Sequence, residues 1–127
     1  MSQGFTGVHT HTISQYFLFG TPGDAVVTTG GNRLYLQEDI KIIEVEVSVG
    51  TAPIGAALIV DVNVNDVTIF TTQSNRPEIA VSTFVDSSTT IQDASHTNGQ
   101  YITVDIDQIG STSPGVDVSV VVRYEKT

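Results

Sequence analysis

Three groups of polar residues have types and spacings that bear on chemistry. Asp61, Asn63, Asn65 and Asp66 spell D-x-N-x-N-D, the oxygen-rich opening of a calcium-binding loop. The match then stops, because Asp66 stands where such a loop needs glycine and Thr72 where it needs its closing glutamate. Asp61 and Asn63 read instead as the outward positions of an alternating strand, and Asn65-Asp66 as the tight turn that ends it. Asp105, Asp107 and Asp117 come together if the last two strands pair. Carboxylates on adjacent strands hold calcium, or do acid–base work when one pKa is raised. The alternation turns these three to solvent instead, as an acidic face that also discourages edge-to-edge association. His9-Thr10-His11 sets two imidazoles on one side of an extended chain, about 7 Å apart, too far to share one ion without bending. Three such pairs around a three-fold axis would supply six nitrogens; the plainer reading is a contact-forming arm. His96 falls in a polar loop and carries no signal.

Other chemistries are poorly served. There is no cysteine, so disulfides and thiolate metal sites are excluded. The sequence has no G-x-S-x-G, no H-E-x-x-H and no phosphate loop. Gly20–Gly23 and Thr29–Asn32 are turns that lack the lysine and following helix that phosphate binding requires. No catalytic activity and no cofactor are expected. Fourteen acidic residues face five basic ones, for a formal charge of −9. Arg33, Lys41, Arg76, Arg123 and Lys126 are scattered singly, whereas nucleic-acid binding needs them clustered. Nucleic acid is therefore not an expected partner. No run approaches the ~18 apolar residues of a membrane span, and the N-terminus lacks the basic start and apolar core of a signal peptide.

The elements that position these residues are strands. The chain has 18 Val, 12 Ile and 17 Thr against 4 Leu and 6 Ala. β-branched side chains lose freedom on a helix and pack well on a pleated sheet, so an all-β domain is expected. Residues 1–14 show no sustained periodicity and read as an N-terminal arm, the alternative being a disordered terminus; residues 15–127 read as one β-sandwich domain. Short strands are expected at Gln15–Gly20, Ala25–Thr29 and Arg33–Gln37, separated by Gly/Pro/Asn turns. Ile43, Val45, Val47 and Val49 alternate with polar residues, while Ile40 and Ile42 fall out of phase, which predicts a β-bulge near Ile42-Ile43. Pro53 and Gly55 take the chain out of that sheet. Ser48–Thr72 reads as a long hairpin, with Leu58, Val60, Val62 and Val64 facing inward. Residues 73–99 are polar and broken, with possible short strands at Ile79–Phe84 and Thr89–Ile91 around an Asp86-Ser87-Ser88 turn. Two alternating stripes close the chain, Ile102–Ile106 and Val116–Tyr124. The expected core includes Val45, Val47, Val60, Val62, Val104, Val118 and Val120. Strand number and turn spacing favour an antiparallel, jelly-roll-like sandwich.

Three segments carry a family resemblance: SVGTAPIGAALIVDVNVNDVTIFTT at 48–72, RPEIA at 76–80, and YITVDIDQIGSTSPGVDVSVVVRY at 101–124. They resemble a module of tailed-bacteriophage virion structural proteins that runs S-V-G-T-A-P-x-G-A, L-I-V-D-V-N-x-N-G and Y-x-T-V-D-I-D-Q-x-G-S. Asp66 replaces the usual turn glycine. The likeness spans most of residues 43–124 and implies a jelly-roll-like sandwich that is often trimeric. Fibre proteins with this module carry long upstream shafts, for which the span before residue 43 is too short. A short arm on one sandwich is most similar to a head decoration, or cement, protein. This implies a homotrimer on the capsid exterior that bridges capsomers of the major capsid protein. The arm, with Phe5, His9, His11 and Ile13, would contact the shell. Outward apolar residues such as Ile59 and Val121 would meet neighbouring subunits. The alternative is a receptor- or glycan-binding module of a tail fibre or baseplate; the absence of Trp weighs against sugar stacking.

Overall fold

The computed structural model of the chain describes residues 15–127. The arm, with Phe5, His9, His11 and Ile13, lies outside the described residues. Ten strands follow in order: β1 (Gln15–Asp24), β2 (Leu34–Tyr35), β3 (Ile40–Ser48), β4 (Leu58–Val64), β5 (Val67–Thr68), β6 (Glu78–Ile79), β7 (Val85–Ser88), β8 (Ser95–His96), β9 (Tyr101–Gln108) and β10 (Val116–Lys126). A single 3₁₀ turn, Gln73–Asn75, lies between β5 and β6.

The strands form two five-stranded antiparallel sheets. One runs β1-β10-β3-β7, with β8 also on β3; the other runs β2-β9-β4-β5, with β6 also on β4. The pairing is nested. Val64 meets Val67 across the Asn65-Asp66 turn, Ile40 meets His96, Leu34 meets Ile102, and Gln15 meets Tyr124. The chain is thus one long fold-back, rolled so that successive strand pairs fall alternately in the two sheets. That is the jelly-roll wrap expected from the strand pattern.

Local chemistry explains the joints. Asn65 and Asp66 both take positive φ, 50° and 66°, as a two-residue hairpin turn matched to the right-handed strand twist requires. The phase break in β3 is a bulge: Glu44 pairs with Arg123 and Ile42 with Tyr124, leaving Ile43 over. Ile40, Ile42, Val45 and Val47 therefore all face inward and are buried. They pack against Leu58, Val60, Val62, Ile69, Phe70, Ile79, Ile102, Val118, Val120 and Val122. Full burial of each such side chain is worth about 1.5–3 kcal/mol. Val104, expected inside, is only half-buried and packs against the core from its rim.

Several short elements differ from the sequence reading. The Gly20–Gly23 turn is instead the end of β1, whose register slips between Thr21 and Asp24. Pro22 is tolerated there because β1 is an edge strand, and Gly23 sits at φ 86°. The Ala25–Thr29 strand reduces to one bridge, Thr28 with Ile106, and the Arg33–Gln37 strand to Leu34–Tyr35. Asp86-Ser87-Ser88 is strand, not turn, because it pairs with Val45–Val47. The hairpin at residues 48–72 is short, since β5 has only two residues before the chain leaves to cover β4.

Gly110, like Gly30 and Gly55, is fixed by crowding. A Cβ on Gly110 would run into the Ser113 carbonyl and the Ile54 backbone, whereas one on Gly20 would meet nothing within 4 Å. Gly110→Ala is expected to destabilise the fold by about 2 kcal/mol or more. Gly20→Ala should leave the urea midpoint nearly unchanged. Equal midpoints for the two variants would contradict the packing described for the 109–115 turn.

Candidate functional site

Asp61 and Asn63 do point to the outer face of β4, but they are not at the surface: they are 5% and 9% exposed. The chain after β5 folds back over them. Asp61 Oδ1 accepts hydrogen bonds from the Thr68 hydroxyl at 2.7 Å and the Val62 N–H at 2.8 Å. Its Oδ2 accepts from the Gln73 amide at 3.4 Å, and that amide also donates to the Phe70 carbonyl at 2.8 Å. The Asn63 amide donates to Asp105 Oδ2 at 2.9 Å, and Gly30 N–H donates to Asp105 Oδ1 at 2.9 Å. Burial raises the Asp61 pKa above its ordinary value. Hydrogen bonds from Thr68, Gln73 and Val62 pull it part of the way back, and the nearby Asp107 charge adds to the rise.

The turn residues of the calcium-like spacing are likewise held within the fold. Asn65 Oδ1 accepts the Tyr101 N–H and Asp66 Oδ2 accepts the Tyr101 hydroxyl, so all four candidate side chains are engaged by the fold. The three later carboxylates are not brought together, because β9 and β10 lie in different sheets. Asp105 binds Asn63 and Gly30, Asp107 pairs with Arg76 at 2.6 Å, and Asp117 accepts the Gly23 N–H at 2.7 Å. Among the described residues no group of three His, Asp or Glu side chains is arranged to hold a metal ion. His96 is buried rather than in an open loop, with Nε2 2.8 Å from the Asp93 carbonyl.

Two surfaces have the make-up of contact sites. At the tip of the second sheet, the Arg33 guanidinium lies 4.1 Å above the Tyr101 ring. Arg33 Nη1 donates to the Tyr35 hydroxyl at 3.0 Å, and the two tyrosine rings are 5.5 Å apart. Tyr35 is 49% exposed. Stacked tyrosine and arginine are the residue types enriched at binding hot spots.

The second surface is apolar and follows β1. Val121 sits on the outer face of the first sheet, between Leu18 of β1 and Glu46 of β3. Leu18 and Tyr16 are 62% and 60% exposed. Beside β1 opens a groove of about 370 Å³ whose lining includes Phe19, Thr28, Val104, Ile106, Val118 and Val120. Ile59 lies on the outer face of the other sheet, beside Glu78 and Gln108. The two candidate interface residues are thus on opposite faces, an arrangement that suits a head-to-tail contact rather than a self-complementary patch. Sequence reading missed the tyrosine–arginine stack and the groove. The available signal was the run Tyr16-Phe17-Leu18-Phe19, apolar at every position, which cannot all face one core.

No protein-family model matches the chain, and no curated protein matches it in sequence. Solved structures do resemble it in fold. A chain of the Cyanophage Pam1 capsid asymmetric unit superposes with TM-score 0.50 at 12% identity, over 96% of this chain and 91% of that one. A chain of the capsid of Ralstonia phage GP4 gives TM-score 0.53 at 14% identity, over 97% and 91%. The catalytic unit of a GH87 α-1,3-glucanase from Streptomyces thermodiastaticus gives TM-score 0.49 at 14% identity, over 90% of this chain but 26% of that one.

The buried carboxyl generates a pH prediction. With its pKa raised in the folded state, Asp61 keeps its proton over a window where the unfolded chain has lost it. Its contribution to stability is full below the ordinary aspartate pKa and is lost as pH rises through the raised value. Asp61→Asn keeps an acceptor for Thr68 and removes the titration. The stability of the parent relative to Asp61→Asn should therefore fall as pH rises through that window, read from denaturation midpoints across a pH series. A constant difference would show that Asp61 titrates alike folded and unfolded.

Proposed function

We propose that the chain is a non-enzymatic structural protein of a tailed-phage virion, a decoration protein that sits on the head exterior and bridges capsomers as a trimer. The observation that carries this reading is the near end-to-end fold match to chains of two phage capsids, 91% of each. The counterpart there is a chain of nearly the same extent, not one domain of a much larger chain. The motif resemblance adds to it: its two longest segments supply β4–β5 and β9–β10. Ile59 and Val121, on opposite faces, provide the two unlike surfaces that a ring of three subunits needs. In this reading residues 1–14, with Phe5, His9, His11 and Ile13, extend from the body toward the shell and its major capsid protein.

The alternative, a receptor- or glycan-binding module, draws on Tyr35 and Tyr101. Arg33 already occupies one face of Tyr101, which leaves the exposed Tyr35 ring as the stacking surface.

Purified protein mixed with heads that lack it should co-sediment in a saturable manner and raise their resistance to heat. Deleting residues 2–14 should leave the circular dichroism of a β-sandwich and greatly weaken attachment. Ordering an arm costs about 1–2 kcal/mol per residue, so a repetitive surface must supply many contacts. Normal attachment of the truncated protein would remove the arm from this account. Full-length protein that ignores heads but binds host cells or their polysaccharide would replace it with the alternative.

A further inference from the structure

We propose that the outer edge of β1 and the groove beside it receive the N-terminal segment of a second copy of this chain, with residues 8–14 adding as a strand. This deepens the trimer reading above and rests on its self-association, not on its attachment to a shell.

The first ground is the edge. Among the described residues β1 pairs with β10 alone. Ten residues of strand give an edge about 33 Å long. Natural sheets protect such edges with charges, proline or a covering segment, because open N–H and C=O groups recruit another strand. Gln15–Gly23 carries no charge, and Pro22 guards only the far end.

The second ground is the opening next to it. The other sheet ends on this flank in β2, which has only two residues. The sandwich therefore gapes between β1 and β9. Phe19, Val104, Ile106, Val118 and Val120 line the gap together with Thr21, Thr28, Gly30, Gly31 and Asn32, and Phe19 and Val104 are only partly buried there. A strand added to β1 would lay alternate side chains over that mixed floor and cover those two.

The occupant follows from sequence and charge. Residues 1–14 enter β1 directly at Gln15 and include Val8, Thr10, Thr12 and Ile13, all β-branched. Two copies, each at −9, repel one another. Yet none of the fourteen carboxylate side chains falls in residues 1–23, and Asp117, bonded to the Gly23 N–H, stands at the far end of β1. Folding back onto its own β1 would require a tight turn near Thr12-Ile13-Ser14-Gln15. That stretch has no Gly, Asn, Asp or Pro to make one. Extended, fourteen residues reach about 46 Å, enough to cross to a neighbour. This narrows the shell contact proposed above: residues 8–14, His9, His11 and Ile13 among them, go to a second copy, and Met1–Gly7, with Phe5, is left for the shell.

Light scattering on full-length protein over a concentration series, without heads, tests this. The parent should associate. Leu18→Glu, at an exposed position on the groove rim, and deletion of residues 2–14 should each weaken association about tenfold or more, with far-UV circular dichroism unchanged. Because the chain has no cysteine, Thr12→Cys protein mixed with Thr21→Cys protein should give mainly the mixed disulfide. A monomer at every concentration overturns the proposal. So does an oligomer indifferent to both changes, or a Thr12→Cys, Thr21→Cys double variant that closes its disulfide within one chain. If association behaves as expected but heads are ignored, the decoration reading falls and this one stands; the converse result separates them the other way.

Discussion

The structure depends on one fold-back, the left-handed pair Asn65-Asp66. From Val64 and Val67 outward, each strand in the first half of the chain meets its partner in the second half, and the last pair joins Gln15 to Tyr124. A slip of one residue at the turn would send each apolar stripe to the wrong face. The bulge at Ile43 shows how firmly the register is held: where the stripe changes phase, the backbone takes up an extra residue and both halves of β3 stay buried. Most contacts join residues far apart in sequence, a topology associated with slow folding.

What was legible in the sequence follows from this. β3 and β10 bury one face along most of their length, and β4 and β9 carry the same apolar alternation in sequence, so alternation marked all four, and the phase break at Ile42-Ile43 marked the bulge. β6, β7 and β8 have two to four residues each. Val85–Ser88 is a strand only because Val45–Ser48 lies alongside, and no local pattern carries that information. Gly20–Gly23 has turn residues, yet an edge strand accepts them. Alternation gave the correct face for Asp61 and Asn63 but not their burial. The cover comes from Thr68 and the aperiodic stretch around Gln73, whose role is tertiary. A cluster of Asp105, Asp107 and Asp117 was conditional on pairing of the last two strands, and the nested order sends β9 and β10 to different sheets.

The same geometry accounts for much of the acidic composition. Asp117 accepts the N–H of Gly23, Asp105 that of Gly30, Asp86 that of Glu78 and Asp39 that of Asn98. Each carboxylate ties down a backbone donor in a turn or short strand that regular pairing does not reach. Hydrogen bonds to a charged acceptor contribute about 1.5–3 kcal/mol when shielded from water, and less where they are exposed, as at Gly23, Glu78 and Asn98. A jelly roll with several two-residue strands needs such fasteners, and the excess of Asp over basic residues is in part their consequence.

The fasteners and the short strands are unevenly placed. β5, β6 and the Gln73–Asn75 turn close the β4 flank, and β7 and β8 close the far side of β3. Opposite them, β1 and the brief β2 leave the two sheets unjoined over the stretch where Thr28 makes a single bridge to Ile106. Among the described residues, this is the flank where a strand added to β1 would also cover the groove. Residues 1–23 carry no carboxylate, and Asp117, held by the Gly23 N–H, stands at the far end of β1. Backbone edge, groove and the uncharged stretch thus meet on the same flank, although they arise from different parts of the sequence.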